Sequence, residues 1–125
     1  MNKLLKFPLL LMLVLITFLL ACKKKETSVS YSVSFSKKVD SLPGLVDIEY
    51  RYGTRDPSDT HTEQINANWS QSHTCLLNEK VTLKAVSVTN VKSIIVIIEA
   101  NGSNRTSDCY IQGCTAYVEQ TLGNR

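Results

Sequence analysis

The sequence predicts an all-β protein, an antiparallel β-sandwich of about seven strands, and two observations support this prediction. Apolar and polar residues alternate with a period of two through several short segments, which is the pattern of strands with one buried face. Turn-forming residues separate these segments, and no segment after residue 22 carries the apolar stripe of an amphipathic helix. We therefore expect two packed antiparallel sheets.

The first 21 residues have the composition of a bacterial lipoprotein signal peptide. Two lysines precede an apolar run over 7–21, which is shorter than the roughly 20 residues that a membrane span needs. A basic start, a short apolar centre and a small residue at the end are the parts of a secretory signal. Because Cys22 follows Ala21 directly, the boundary resembles a lipobox. We expect cleavage between these two residues and diacylglycerol modification of Cys22.

The chain after the signal peptide divides into a tether and one domain. Residues 22–28 are polar and unpatterned, so they are predicted to form a lipid-anchored flexible tether. Residues 29–125 are predicted to form the β-sandwich domain, since they are too few for two independent cores.

The first strands are predicted from alternation. Val29 to Ser36 places four apolar residues opposite four serines, and Val46 to Tyr52 alternates again after a Leu-Pro-Gly turn signal. Thr62 to Asn68 alternates more weakly and predicts a third strand. Thr74 to Leu77 either continues that strand or pairs separately.

The later strands include the most apolar segment of the domain. Lys80 to Thr89 is expected to place Val81, Leu83 and Ala85 on one face and Thr82, Lys84 and Val86 on the other, and the pattern leaves open which face is buried. Ser93 to Ala100 contains five consecutive β-branched residues and predicts a central strand covered on both sides.

Two further strands complete the predicted sandwich. Asn101-Gly102 predicts a type I′ hairpin that leads into a strand over 103–108, because both turn residues need a positive φ. A last strand is expected over 114–121.

The charge of the chain is concentrated at its N-terminus. The chain has 14 Lys and Arg against 11 Asp and Glu, and five of its lysines precede Ser28. The domain itself is therefore near neutral, which argues against a nucleic-acid partner. The run Lys23 to Lys25 is expected to be a solvated spacer, with contact to anionic lipid as the alternative.

Several segments together resemble the MmpS-like family of small membrane-anchored envelope proteins. The matching segments are Tyr31 to Phe35, Val46 to Tyr52, Asn68-Trp69-Ser70, Ile94 to Gly102 and Gly113 to Val118. This resemblance implies an immunoglobulin-like sandwich held on a membrane, in some members as an accessory to a lipid-exporting transporter.

Three cysteines remain after Cys22. A four-residue hairpin loop between Cys109 and Cys114 would bring their Cα atoms within disulfide range, so this pair is the predicted disulfide. The alternatives pair Cys75 with either of the two. A thiol oxidoreductase or zinc site is disfavoured, because the spacing is not Cys-x-x-Cys and four convergent ligands are not evident.

The loop over 55–63 is rich in potential metal ligands. It contains Asp56, Asp59, His61 and Glu63, but their spacing matches no EF-hand. A solvated turn is therefore expected, with no metal site. No Gly-x-Ser-x-Gly motif is present, so hydrolase chemistry has no support.

Trp69 is a candidate ligand-facing residue, although a lone tryptophan in a sandwich is more often part of the core. No catalytic residue or cofactor is expected.

The sequence thus predicts a cell-envelope lipoprotein with a non-catalytic domain for binding or assembly. It would contact the membrane through acyl chains on Cys22 and have an envelope protein as partner. An accessory subunit of an envelope transporter and a small thiol-dependent or metal-binding enzyme are the alternatives. Lys23 favours the outer membrane, because an aspartate at this position is associated with inner-membrane retention.

Overall fold

The computed structural model describes residues 25–53, 59–111 and 113–123, and most of this part of the chain is β-strand. Its strands are β1 Glu26–Lys37, β2 Leu45–Arg51, β3 Thr60–Ile65, β4 Trp69–Leu76, β5 Lys80–Thr89, β6 Val91–Ala100, β7 Ser103–Cys109 and β8 Thr115–Thr121. The predicted signal peptide and lipidation site, with Ala21 and Cys22, lie outside the described residues. Within these residues, no helix is long and apolar enough to cross a membrane.

The strands form two antiparallel sheets of four strands each. Sheet A has the order β4-β1-β6-β7, and sheet B has the order β3-β2-β5-β8. The all-β sandwich that the alternation predicts is confirmed, with eight strands instead of about seven. Its strand order differs from the ABED and CFG sheets of immunoglobulin constant domains, so the similarity to that fold lies in the two-sheet architecture.

The core lies between the sheets and is formed by alternate residues of the central strands. Tyr31 of β1, Ile48 of β2 and Leu83 of β5 are among its largest fully buried side chains. The inward face of β5, which the sequence leaves uncertain, contains Val81, Leu83 and Ala85. The predicted apolar faces of the first two strands are therefore the faces that become buried.

Strand β1 begins at Glu26, three residues before the predicted start at Val29. Its first residues pair with β4, where Thr27 lies opposite Cys75 and Ser28 opposite Thr74. The predicted tether over 22–28 is therefore too long. Polar residues join the strand here because backbone pairing with a neighbouring strand does not require apolar side chains.

The predicted third strand over 62–68 is wrong in its C-terminal boundary. β3 ends at Ile65, and a separate strand β4 begins at Trp69 in the other sheet. The connection contains Asn68, whose Oδ1 accepts a hydrogen bond from the backbone N–H of Phe35. Asparagine favours such turns because its side chain hydrogen-bonds to backbone groups, and here it helps the chain to cross between the sheets.

Strand β6 is central, as predicted, but it is covered on only one side. Ile94, Val96 and Ile98 are buried between the sheets. Ile95 and Ile97 lie on the outer face and are only partly buried, since no described element packs over them. Serines of β1 lie beside them, with Ser34 opposite Ile95 and Ser32 opposite Ile97. The prediction of cover on both sides is therefore wrong.

The turn at Asn101-Gly102 has the geometry that the sequence predicts. Its φ angles are 52° and 72°, and β6 and β7 pair directly from Ala100 and Ser103 onward. Both residues adopt the positive φ that a type I′ turn requires.

Candidate functional site

The disulfide lies at one end of the sandwich, in the β7–β8 loop. Cys109 and Cys114 are bonded, with their Cα atoms 6.0 Å apart. This is the pair that the spacing predicts. Cys75 is the free cysteine of the described residues and is buried between the sheets. Burial raises the pKa of the Cys75 thiol, so the reactive thiolate is disfavoured.

Large apolar side chains are exposed at this same end, in the β1–β2 loop, at the end of β5 and in the β7–β8 loop. We call this surface the apolar tip; it consists of Val39, Leu42, Val88, Tyr110 and Ile111. Leu42 is 53% exposed and Ile111 is 76% exposed. Clustered exposed apolar residues mark interaction surfaces, whereas isolated ones are common on any protein.

The Asn90 side chain holds the β1–β2 loop in place. Its Oδ1 accepts a hydrogen bond from the N–H of Val39 at 2.9 Å, and its Nδ2 donates to the carbonyl oxygens of Val39 and Leu42 at 2.8 and 2.9 Å. Asn90 has a φ of 54°, a conformation that asparagine tolerates better than most residues. The apolar side chains of this loop are therefore presented on a fixed backbone.

Ser87 holds the β7–β8 loop. Its Oγ accepts a hydrogen bond from the N–H of Gly113 at 2.8 Å, and its N–H donates to the carbonyl oxygen of Cys114 at 3.2 Å. The end of β5 and the turn that follows thus contact both loops of the apolar tip. This arrangement makes the tip one surface instead of two independent loops.

The N-terminus of the described chain lies at the opposite end of the sandwich. The carbonyl oxygen of Lys25 accepts a hydrogen bond from the N–H of Leu77, and the N–H of Asn78 donates to the carbonyl oxygen of Leu122. Strand β1 has 12 residues and runs from this end to the apolar tip. A strand of that length spans about 40 Å.

Aromatic rings lie between the two sheets at the open edge that β3 and β4 form. We call this group the aromatic seam; it contains Tyr50, Tyr52, His61, Trp69 and His73. The ring centroids of Tyr52 and His73 are 4.1 Å apart, those of Tyr52 and His61 are 4.8 Å apart, and those of Tyr50 and His61 are 5.4 Å apart. Both histidines therefore pack against the same two tyrosines, although they are 12 positions apart in the sequence.

Trp69 belongs to this seam. Its ring centroid lies 5.0 Å from that of Tyr50, and it packs against the core while partly exposed. It also lines a cavity of about 230 Å³ at the β3–β4 turn. Trp69 therefore packs against the core, as the sequence predicts, while part of its ring stays exposed. The ligand-facing role of that exposed part stays a prediction.

The surroundings of His73 and Tyr52 favour the uncharged forms of these two side chains. Burial, followed by the neighbouring His61, lowers the pKa of His73, and its Nε2 is buried without a hydrogen-bond partner in the described structure. Burial and the neighbouring Tyr50 raise the pKa of Tyr52 to about 12. Tyr31, beneath the seam, donates to the carbonyl oxygen of Arg51 and has a raised pKa because it is buried beside Cys75. Uncharged rings in this arrangement support packing more than nucleophilic chemistry.

The acidic loop is only partly described. Asp56 lies outside the described residues, and Asp59, His61 and Glu63 lie within them. The described residues contain no group of three or more His, Cys, Asp or Glu side chains that could hold a metal ion. His61 instead contacts the tyrosines of the seam.

The sequence analysis missed the proximity of His61 and His73. The strand register is the signal that reveals it. His61 is the Cα partner of Tyr50, and His73 is the Cα partner of Val29. Because paired residues share a face of the sheet and both partners are buried, each histidine faces the space between the sheets. That register becomes visible only once β3 and β4 are assigned to different sheets.

Comparison with known proteins gives no match, either to a protein-family model or to a curated protein. The resemblance to the MmpS-like family stays a prediction from its short motifs.

Proposed function

We propose that this chain is a lipid-anchored protein of the bacterial cell envelope whose β-sandwich is a non-catalytic domain for binding or assembly. One observation supports this most strongly. The apolar tip and the N-terminus of the described chain lie at opposite ends of the sandwich, so an anchor at Cys22 would hold the tip away from the bilayer.

The short spacing between the anchor and the sandwich limits how far the domain can lie from the bilayer. Three lysines separate Cys22 from Glu26, where β1 begins. Four peptide units extend at most about 14 Å. The domain would therefore remain close to the bilayer surface, with the β4–β5 turn facing the bilayer and the apolar tip facing outward.

The chemistry of the tip fits a protein partner. Interfaces commonly combine an apolar centre with a polar rim, and here exposed Asp40 follows Val39 directly in the chain while exposed Lys92 lies two positions after Asn90. The loops are fixed by Asn90, Ser87 and a disulfide, so little conformational entropy would be lost on binding. We expect the partner to be another protein of the envelope.

The experiment combines lipid labelling with site-specific cross-linking in intact cells. An alkyne-labelled fatty acid should label the native chain, while Cys22→Ser should abolish both the label and recovery with the membrane, which we expect to be the outer membrane. A photoreactive residue at position 111 should give a cross-linked protein that depends on lipidation, whereas one at position 106, an exposed site on the outer face of β7, should not. Labelling of the Cys22→Ser variant, or equal cross-linking from both positions, would contradict the proposal.

An accessory subunit of an envelope transporter is the second candidate function. The segments that resemble the MmpS-like family favour it, and it predicts that the protein cross-linked from position 111 is one large membrane transporter in stoichiometric amount. Cross-linking to a small soluble protein would remove this candidate while leaving the first.

A further inference from the structure

The outer face of sheet B contains a groove that the proposed function does not use. Its volume is about 530 Å³, within the range of ligand-binding clefts in proteins. Strands β2, β3 and β5 form it, and its lining includes Asp47, Glu49, Thr62, Gln64, Lys84 and Val86. None of these lining residues belongs to the apolar tip or to the aromatic seam.

The side chains of the groove offer both donors and acceptors. Asp47 and Gln64 face each other across β2 and β3, and the Gln64 amide donates a hydrogen bond to the Asp47 carboxylate at 2.9 Å. Glu49 and Lys84 are Cα partners on β2 and β5. Because carboxylates accept, ammonium groups donate and amides do both, the surface suits a ligand with many hydroxyl groups. Glu63 also lines the groove, so three carboxylates and one lysine give it a net negative charge, which disfavours an anionic ligand.

An exposed tyrosine lies beside this groove. Tyr117 of β8 is the Cα partner of Lys84 on its other side, and it is 47% exposed. Its hydroxyl donates to Glu119 at 2.9 Å, which fixes the position of the ring. Burial and this hydrogen bond raise the pKa of Tyr117, so the phenol stays uncharged beside the groove.

The combination of an aromatic ring and planar polar groups matches the two surfaces of a sugar. The ring hydrogens of a pyranose form an apolar patch that packs on an aromatic face, while its hydroxyl groups at the edge pair with carboxylates and amides. We propose that the groove on the outer face of sheet B, together with Tyr117, binds an uncharged oligosaccharide.

Calorimetric titration tests this binding on the full chain, purified in a zwitterionic detergent that has no sugar headgroup. The probes are the hexasaccharides of β-1,4-glucose, α-1,4-glucose, β-1,4-N-acetylglucosamine and β-1,4-mannose. We expect at least one of them to bind. Tyr117→Ala should weaken that binding about tenfold, since a stacked ring contributes an interaction of that size.

The chain supplies a matched control. Tyr110 is also exposed, and its hydroxyl donates to an acid two residues away, Asp108, yet it lies in the apolar tip. Tyr110→Ala should therefore leave the affinity unchanged, and Tyr117→Phe should retain most of it. Thermal unfolding of each variant identifies loss of folding separately. Failure of all four hexasaccharides to bind, or equal binding by the two alanine variants, would overturn the inference without affecting the lipid anchor.

Discussion

The rings of Tyr52 and His73 lie 4.1 Å apart and join the two sheets at their open edge. Tyr52 follows β2 in sheet B, and His73 lies on β4 in sheet A. Burial of the imidazole, followed by the neighbouring His61, lowers the pKa of His73. A neutral His73 is therefore part of what holds the sheets together at this edge.

This contact predicts that acid weakens the fold. The unfolded chain protonates His73 near its ordinary pKa of about 6.5, whereas the folded chain resists protonation to lower pH. The free energy of unfolding should be at its full value above about pH 6.5 and should decrease as the pH falls toward the lowered pKa of the folded state. Urea unfolding between pH 5 and 8, in steps of about half a unit, measures this dependence.

His73→Phe is the matched variant, since it keeps a ring at this position and removes the titration. Its stability should change less than that of the native chain over this range. His61→Gln should also reduce the loss of stability at low pH, but by less than His73→Phe, because His61 is the lesser cause of the lowered pKa of His73. If the phenylalanine variant lost stability as steeply as the native chain, other groups would account for the acid sensitivity.

The two faces of β6 are predicted to contribute unequally to stability. Ile98 is fully buried between the sheets, while Ile97 faces outward and is partly buried. Ile98→Ala should lower the free energy of unfolding by about 2–5 kcal/mol, because it leaves a cavity in the core. Ile97→Ala should lower it by about 1 kcal/mol. Denaturant unfolding compares the two directly, and equal losses would indicate that an additional element covers the outer face.

The side chain of Asn90 is predicted to stabilise the apolar tip. Asn90→Gly retains the positive φ and removes three hydrogen bonds to the β1–β2 loop, so it should cost about 1–3 kcal/mol. Asn78→Gly is the control, because Asn78 also has a positive φ and lies exposed at the opposite end. Its cost should stay within about 0.5 kcal/mol. Amide exchange of residues 38–44 should rise only in the Asn90 variant.

Cys75 is predicted to react with thiol reagents only after the protein unfolds. In a Cys22→Ser chain, Ellman's reagent should detect almost no thiol in the folded state and one thiol after denaturation, since Cys75 is buried and the other two are bonded. Replacing Cys109 and Cys114 together by serine should lower the free energy of unfolding by less than about 3 kcal/mol, because the closed loop is short. A thiol that reacts rapidly in the folded protein would contradict this assignment.

The sequence predicts best those parts of the fold that depend on local pattern. Alternation alone assigns Val29, Tyr31 and Val33 to the buried face of β1, and two residues suffice to place the Asn101-Gly102 turn. These features depend on side-chain period and backbone φ, which neighbouring residues determine. The Cys109–Cys114 pair belongs to the same class because a short loop brings the two residues together.

The parts that the sequence does not predict depend on contacts between distant segments. The early start of β1 requires β4 as its partner, and nothing in Thr27 or Ser28 signals that pairing. The aromatic seam requires β3 and β4 to occupy different sheets. The groove beside Tyr117 requires β8 to lie next to β5. In each case the deciding information is strand order, which short-range patterns do not contain.

The position of β1 also determines how the domain would respond to mechanical force. A pull between the N-terminus and a partner held at the loop after Lys37 would act along this strand. β1 lies between β4 and β6 and is hydrogen-bonded to both, and in antiparallel sheets these bonds run perpendicular to the strand. Because the two points of attachment flank β1, its extended backbone would carry the load directly, and the two ladders would hold the strand in place within the sheet. The sandwich is therefore oriented to resist extension along the axis on which a tethered domain would be pulled.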